Sequence, residues 1–383
     1  MRFLNLVIVL SASTISFSTA LDLDQNSLSS IKDSASDIAK SLTFLYPDKD
    51  VGLLPAPYWW WQSGSALDGL IAYWHTTGDG QYNNLVAKTL VSQGTDKKDF
   101  MTPDATGNDD QAWRGIAAMS AAEYGLLSPP NSPSWLELTQ NVLNEQKGRW
   151  DDGRCGGGMK WKINQGDDGW HYKSTITNGL FFQLAARIGR FTGDVEALKW
   201  AEKSYDWTVG VGLIDKDYNV YDGTDDAKGS GCVDVNHDQW SYNVGVFMYG
   251  AAVMADKTGD KKWADRANGF VSSAQRNFVK NGALFESKCE GQGNCNTDQQ
   301  SFKAALARWM GATATLLPDT KDEVGNVMGD AAGGVAKAFD AKWGATEQLT
   351  ALETVGALIC TSGKDAPGKP KEGKRGALMR FVA

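Results

Sequence analysis

Apolar residues recur at helical spacing along nearly the whole chain, and few stretches alternate with period two. That periodicity predicts helices. The clearest run over Ile31–Leu45, Ala66–His75, Asp110–Tyr124, Ile176–Phe191 and Tyr242–Lys257. They are rich in Ala, Leu and Met, with Gly recurring on one face. A short motif punctuates them: Thr77-Gly78-Asp79, Thr192-Gly193-Asp194 and Thr258-Gly259-Asp260 each follow an apolar helix and precede a more polar one. Gly past a helix end is a C-cap, and the adjacent Asp can cap the helix that follows. Each motif is therefore read as the turn of a helical hairpin. Breaks at Ser128-Pro129-Pro130, Leu317-Pro318-Asp319 and Ser362-Gly363 complete a set of six. In each hairpin an apolar helix is followed by an amphipathic one. Inner helices surrounded by an outer ring are expected, an all-α (α/α)6 toroid of six hairpins, with stacked units burying a common core.

The ends of the chain read differently. Residues 1–20 carry one charge, Arg2, then a largely apolar stretch from Phe3 to Leu10 and small residues Ser18 and Ala20. This is the pattern of a secretory signal peptide and is too short to span a bilayer. Residues 21–362 are expected to form one domain, and 363–383 a basic polar tail with no hydrophobic segment of GPI-anchor type. No membrane anchor is expected, and the reading is a secreted, extracellular protein, with the cell wall as a possible site. With Lys+Arg 38 against Asp+Glu 46 the net charge is −8. An acidic surface argues against nucleic acid and anionic membranes as partners. Secretion permits disulfides. Cys289 and Cys295 flank a Gly/Asn-rich loop and form one natural pair; Cys155 with Cys232 is the next, leaving Cys360 free. No Cys/His cluster has zinc-ligand spacing, so no metal or other cofactor is expected.

Candidate chemistry gathers at the starts of the inner helices. Asn108-Asp109-Asp110-Gln111 opens the second. Read locally, this is a capping box from Asn108 to Gln111, with acids favoured by the helix dipole. Read in the toroid, where inner-helix N-termini converge on one mouth, Asp109 and Asp110 could lie about 5–5.5 Å apart, the separation a retaining glycosidase needs. Aromatic and amide residues crowd the same mouth: Trp60 and Trp61 before helix one; Trp161, Trp170 and Tyr172 before helix three; Asp238, Gln239, Trp240, Tyr242 and Asn243 at helix four; Asp298 and Lys303 at helix five. Flat rings beside amides and carboxylates suit neutral sugars, although a Trp is as often core. Gly-rich loops at 149–169 and 221–238 stand on this face, where sites tend to be built.

These residues carry a resemblance. Asn-Asp-Asp-Gln-Ala-Trp-Arg-Gly (108–115), Cys-Gly-Gly-Gly-Met-Lys-Trp (155–161), Thr-Asn-Gly-Leu-Phe-Phe (177–182), Gln-Trp-Ser-Tyr-Asn (239–243) and Cys-Asn-Thr-Asp-Gln-Gln-Ser-Phe-Lys (295–303) resemble, in order, the motifs of glycoside hydrolase family 76. That family comprises endo-α-1,6-mannanases and includes fungal proteins thought to transfer GPI-mannoproteins onto wall glucan. The resemblance implies an (α/α)6 fold, a retaining mechanism, Asp109 as nucleophile and Asp110 as acid/base. It implies α-1,6-mannan or related mannose-containing glycans as substrate, with Trp60, Trp61, Gln111, Trp161, Asn178, Asp238, Gln239, Tyr242, Asn243, Asp298 and Lys303 around it. Two departures stand out. The cysteine pair usual in fungal members near the last hairpin is replaced by Ala-Lys-Ala-Phe-Asp-Ala-Lys-Trp-Gly (336–344), and the GPI tail is missing.

Three rivals remain in view. A wall-binding lectin on the same toroid would need no carboxyl pair. A magnesium-dependent prenyl or terpene enzyme uses Asp-Asp-x-x-Asp, but the fifth position here is Trp113. Asp215, Asp217, Asn219 and Asp226 loosely follow EF-hand spacing, but Val220 occupies the position that requires Gly.

Overall fold

In the computed structural model, which describes residues 20–227, 231–363 and 368–373, twelve α-helices alternate between two concentric layers. The outer helices are α1 (Leu28–Phe44), α3 (Asn83–Ser92), α5 (Trp135–Gly148), α7 (Val195–Gly210), α9 (Lys261–Phe278) and α11 (Lys321–Ala338). The inner helices are α2 (Trp60–Thr77), α4 (Asn108–Tyr124), α6 (Thr175–Thr192), α8 (Ser241–Thr258), α10 (Thr297–Leu316) and α12 (Ala345–Thr361). Each inner helix packs on the next, and α12 returns to α2, so the ring closes. The fold is the all-α (α/α)6 toroid. The sixth hairpin differs from the expected one: among the described residues no outer helix follows the break at Ser362-Gly363, and α12 instead pairs with α1 from the other end of the domain. Ring closure is thus also a clasp between the two ends of the domain. The expected signal segment (1–20) lies outside the described residues except for Ala20.

The apolar/polar contrast that predicted two layers is visible in burial. α6 and α8 are buried at nearly every position, whereas α9 buries one stripe, from Trp263 through Ala267, Phe270, Val271 and Ala274 to Phe278. A helix buried on all sides cannot be amphipathic, and one on the rim must be. Small residues set the inner spacing: a Cβ at Gly311 would fall 2.8 Å from the Cα of Ala357. The hairpin turns also follow their motif. Gly78, Gly193 and Gly259 end their helices at φ 83°, 79° and 69°. Asp194 and Asp260 then cap α7 and α9. Asp79 does not cap α3; it accepts instead from the Gln81 amide at 3.0 Å and the Tyr73 hydroxyl at 2.5 Å.

Buried guanidinium groups tie inner helices together. Arg187 on α6 donates to Glu123 and Ser120 of α4. Arg308 on α10 reaches Asp68 and Ser65 of α2 and Glu353 of α12, bridging the seam where the ring closes. At the C-terminal ends of the inner helices lies residue 368–373, expected to be part of a solvated tail. It is strapped down: the Gly373 amide donates to Phe191 at 2.7 Å, that of Lys371 to Glu123 at 3.1 Å, and Arg190 donates to the Pro370 carbonyl at 3.0 Å. At the opposite end the 149–171 and 221–240 loops meet. They share a three-stranded antiparallel sheet, β1 (Tyr172–Ser174), β2 (Gly223–Asp225) and β3 (Val235–Asn236). The Cys155–Cys232 disulfide joins them, and Cys289–Cys295 closes the loop before α10; Cys360 is free. Among the described residues no helix is long and apolar enough to cross a membrane.

Candidate active site

The N-termini of α2, α4, α6, α8 and α10 contribute to one cleft of about 600 Å³. At its floor the first turn of α4 presents Asp109 and Asp110. The N-cap is Gly107, not Asn108: the Gly107 amide donates to Asp110 Oδ2 at 2.7 Å, while the Asn108 side chain holds the Lys160 carbonyl and accepts from Arg149. Residues 161–163 run alongside 106–108. The Asn108 amide donates to the Trp161 carbonyl at 2.8 Å, and this places the Trp161 indole to donate to Asp109 Oδ2 at 3.1 Å. Asp109 Oδ1 is buried without a partner. A Cβ added at Gly107 would fall 2.3 Å from Asp109 Oδ1 and 3.2 Å from Asp110 Oδ2. Those two oxygens are therefore no more than about 5.5 Å apart. Gly107 is required here for close approach, because any side chain would displace the pair.

Burial raises the pKa of both carboxyls. For Asp109 the nearby Asp110 charge adds to burial and carries it to about 8. For Asp110 burial is opposed by the Gly107 amide, the Lys162 ammonium and the Thr106 hydroxyl. The two cannot both ionise cheaply, so the pair shares a proton near neutrality.

Aromatic rings wall the cleft. Trp61 stacks on Trp113 (centroids 5.2 Å), which stacks on Trp309 (5.6 Å), and the Trp61 indole donates to Asp298 Oδ1 at 2.9 Å. Trp60 lies beneath the Arg114 guanidinium at 4.4 Å and donates to Gln93. Tyr242 stacks on Phe302 at 3.8 Å. Stacked in this way, the rings are rigid platforms.

Of the candidate residues, Asp109, Asp110, Trp60, Trp61, Trp161, Tyr172, Tyr242 and Asp298 line this cleft. The others do not. Gln111 faces backward, donating to the Asp99 carbonyl at 2.8 Å and accepting from Arg149. Asn178 is fully buried and clamps Met159 to α6 through the Met159 amide and carbonyl. Asp238 pairs with Lys288, and Gln239 accepts from Asn277. Asn243 is buried beneath the first turn of α8. Lys303 pairs with Glu290 and borders a separate opening. Gln111, Asn178, Asn243 and Lys303 lie near the mouth in sequence, but helical phase turns them away. Asp238 and Gln239 precede α8 and are held by Lys288 and Asn277 outside the cleft lining. Asp226, counted with the EF-hand-like set, pairs with Lys160 and His171, while Asp215 is occupied by its own turn, accepting from Asn219, Asp217 and Tyr221. Asp222 and Lys162 line the cleft and were missed. Asp222 accepts from the Tyr172 hydroxyl at 2.5 Å and from Asn236 at 3.1 Å. Only pairing of β1 with β2 brings Tyr172 and Asp222 together, and no local signal announces it.

This toroid has known counterparts. The profile of glycosyl hydrolase family 76 matches residues 30–367. The chain belongs to this family. Mannan endo-1,6-alpha-mannosidase DCW1 of Eremothecium gossypii is 37% identical, with 93% of this chain and 87% of that protein covered. Its namesake in Saccharomyces cerevisiae is 36% identical, covering 92% and 83%. Among solved structures, Dfg5 from Chaetomium thermophilum in complex with glucosamine is 32% identical, with a TM-score of 0.84 and coverage of 94% and 98%. An inactive variant of an alpha-1,6-mannanase from Salegentibacter, in complex with alpha-1,6-mannotriose, shares the fold at 23% identity and a TM-score of 0.70, over 86% and 99%. As a member of family 76, the chain is a glycoside hydrolase.

Two expectations follow from this geometry. Gly107→Ala, with its Cβ driven against Asp109, lowers the hydrolytic rate by about 100-fold, the scale of an ångström's misplacement of a reacting group. Initial rates beside a thermal melt check it, and an unchanged rate would remove the close-approach argument. The second concerns pH. In the folded protein Asp109 keeps its proton up to about 8, whereas unfolded it loses it near 3.8. Its contribution to stability is therefore complete below about 3.8 and lost as pH rises through about 8. Asp109→Asn, which cannot ionise, should flatten the fall in melting temperature over that interval.

Proposed function

We propose that this chain is a secreted retaining endo-α-1,6-mannanase. One observation carries the reading: two carboxyls brought within about 5.5 Å by Gly107, at the floor of an aromatic-walled cleft. That bound agrees with the short separation of a retaining pair. The relatives named mannan endo-1,6-alpha-mannosidase support the substrate. The N-terminal sequence pattern and the two disulfides support secretion.

The mannan lies across Trp60, Trp61 and Trp161. Asp110 gives its proton to the glycosidic oxygen as the C1–O bond breaks, and an Asp109 oxygen bonds to C1. Water then yields a proton to Asp110, its oxygen attacks C1, and the bond to Asp109 breaks. Asp109 must be ionised to attack. Positive charge developing on the sugar ring favours its carboxylate, so substrate draws the shared proton towards Asp110. Asp298 and the Tyr172–Asp222 pair are placed to hold ring hydroxyls.

Incubation with linear α-1,6-mannan in [18O]water tests the reading. Short oligosaccharides labelled at the reducing end are expected. Longer, unlabelled products would replace hydrolysis with transfer to a sugar hydroxyl. Retention on mannan without turnover would make the chain a binding protein.

A further inference from the structure

A second opening lies on the mouth side of the toroid, in the seam between α11 and the inner helices α10 and α12, with a volume of about 520 Å³. The seam among α6, α7, α8 and α9 is filled. Between α6–α9, the rings of Phe182, Tyr205, Phe247, Trp263 and Phe270 meet at 5.0–6.4 Å. α11 instead offers Ala331, Gly334 and Ala338, and a Cβ at Gly334 would meet nothing within 4 Å. The gap is therefore built by residue size.

What borders the gap has the chemistry of a sugar site. Trp343, half-buried, is held edge-on by Phe339 (centroids 5.6 Å, planes at 72°). Around it stand the Gln300 amide, the exposed Glu347 carboxylate and the Glu290–Lys303 ion pair. The Cys289–Cys295 disulfide fixes the rim, and Gln300 donates to the Cys295 carbonyl at 3.3 Å. Two carboxylates to one ammonium disfavour an anionic ligand, while an indole with amide and carboxylate acceptors suits a neutral, hydroxyl-rich ring. The position is also telling. On α10, Asp298 and Phe302 face the catalytic cleft, and Gln300 and Lys303 face the seam. One helix, about 10–12 Å across, separates the two openings.

We propose that this seam is a second saccharide-binding site, which takes a further stretch of the neutral hexose chain cut in the cleft, with Trp343 as its platform. The ligand class rests on the mannanase reading. Such a site raises the affinity for polymer by holding it at two points and leaves short substrates unaffected.

The test compares α-1,6-mannotriose with polymeric linear α-1,6-mannan in the full chain, using Trp343→Ala and Gly334→Leu. Gly334→Leu fills the seam and, in a helix interior, favours the fold, so loss of binding there cannot be ascribed to unfolding. Both variants are expected to keep kcat/KM on mannotriose within about twofold. Both should raise KM on the polymer about five- to tenfold, the scale of one lost aromatic contact, with kcat unchanged. A polymer KM within about twofold of the parent in both variants would overturn the second site and leave the mannanase reading intact. An equal loss on mannotriose would also overturn it, since the effect would then arise in the cleft. A parent protein that neither binds nor cleaves mannan would remove both readings.

Discussion

Asp109→Asn is expected to lower turnover of linear α-1,6-mannan on the order of 10⁴-fold or more, while the protein melts no lower than its parent at pH 8. Both halves follow from one arrangement. Burial and the Asp110 charge make an ionised Asp109 unfavourable in the folded state, carrying its pKa to about 8. An amide of the same shape removes that penalty and the nucleophile with it. Asp110→Asn removes the proton donor and should cost about 10²–10⁴-fold. The two roles separate on a substrate with an activated leaving group, which needs no protonation: the Asp110 variant recovers its first step and the Asp109 variant does not. Azide sharpens the comparison. In Asp109→Ala it attacks C1 from the vacated face and yields the inverted mannosyl azide. In Asp110→Ala it attacks the mannosyl–enzyme and yields the retained one. Exchanged products would reverse the two assignments. Full activity of Asp109→Asn would end the mechanism altogether.

How much of this was legible in the chain depends on the range of the interaction concerned. Helices were legible because their signals are local: apolar spacing, Gly193 with Asp194, Gly259 with Asp260. The two-layer order followed because an inner helix has no polar face to show. What failed was pairing between ends: α1 completes the hairpin of α12, a contact that leaves no mark on either segment. The same division holds at the site. Asp109, Asp110 and Trp61 stand in helical first turns on a predicted mouth and line the cleft. Gln111 and Asn178 stand in first turns too, and Lys303 in the second turn of α10, but the rotation of about 100° per residue carries them behind it. Their polarity serves the scaffold: a buried amide such as Asn178 is retained because it satisfies the Met159 backbone. Sequence position near a mouth therefore selects candidates, and helical phase decides among them. Asp222 required the register of a three-stranded sheet and was out of reach.

Arg308→Met should destabilise the fold by about 3–5 kcal/mol at neutral pH, the cost of leaving buried charges uncompensated. Arg308 is fixed on every side. Its Nε donates to Glu353 Oε1 at 2.7 Å, its Nη2 donates to the Ser65 carbonyl at 3.0 Å and hydroxyl at 3.1 Å, and it pairs with Asp68. These partners lie on α12 and α2, the last and first inner helices, so the residue ties the ring where chain connectivity does not. Methionine fills much of its volume but leaves Asp68 and Glu353 buried without their cation. Burial already raises the Glu353 carboxyl to about 7, with Arg308 opposing the rise. Without Arg308 the pKa goes higher still. A carboxyl raised in the folded state stabilises below its unfolded pKa and loses that contribution as pH climbs through the folded value. The deficit of Arg308→Met is therefore expected to be largest above about pH 7 and to shrink towards pH 5, where Glu353 takes a proton. In melting temperature the neutral-pH loss amounts to roughly 5–10 °C. The triple variant Arg308→Met, Asp68→Asn, Glu353→Gln should recover most of it, since neutral groups need no counter-charge. Below its melting point Arg308→Met should cleave mannan at the parental rate, because Asp109 and Asp110 sit on α4, outside this clasp. A deficit of equal size at pH 5 and pH 8 would mean that Arg308 acts by packing alone, and the electrostatic account of ring closure would fail.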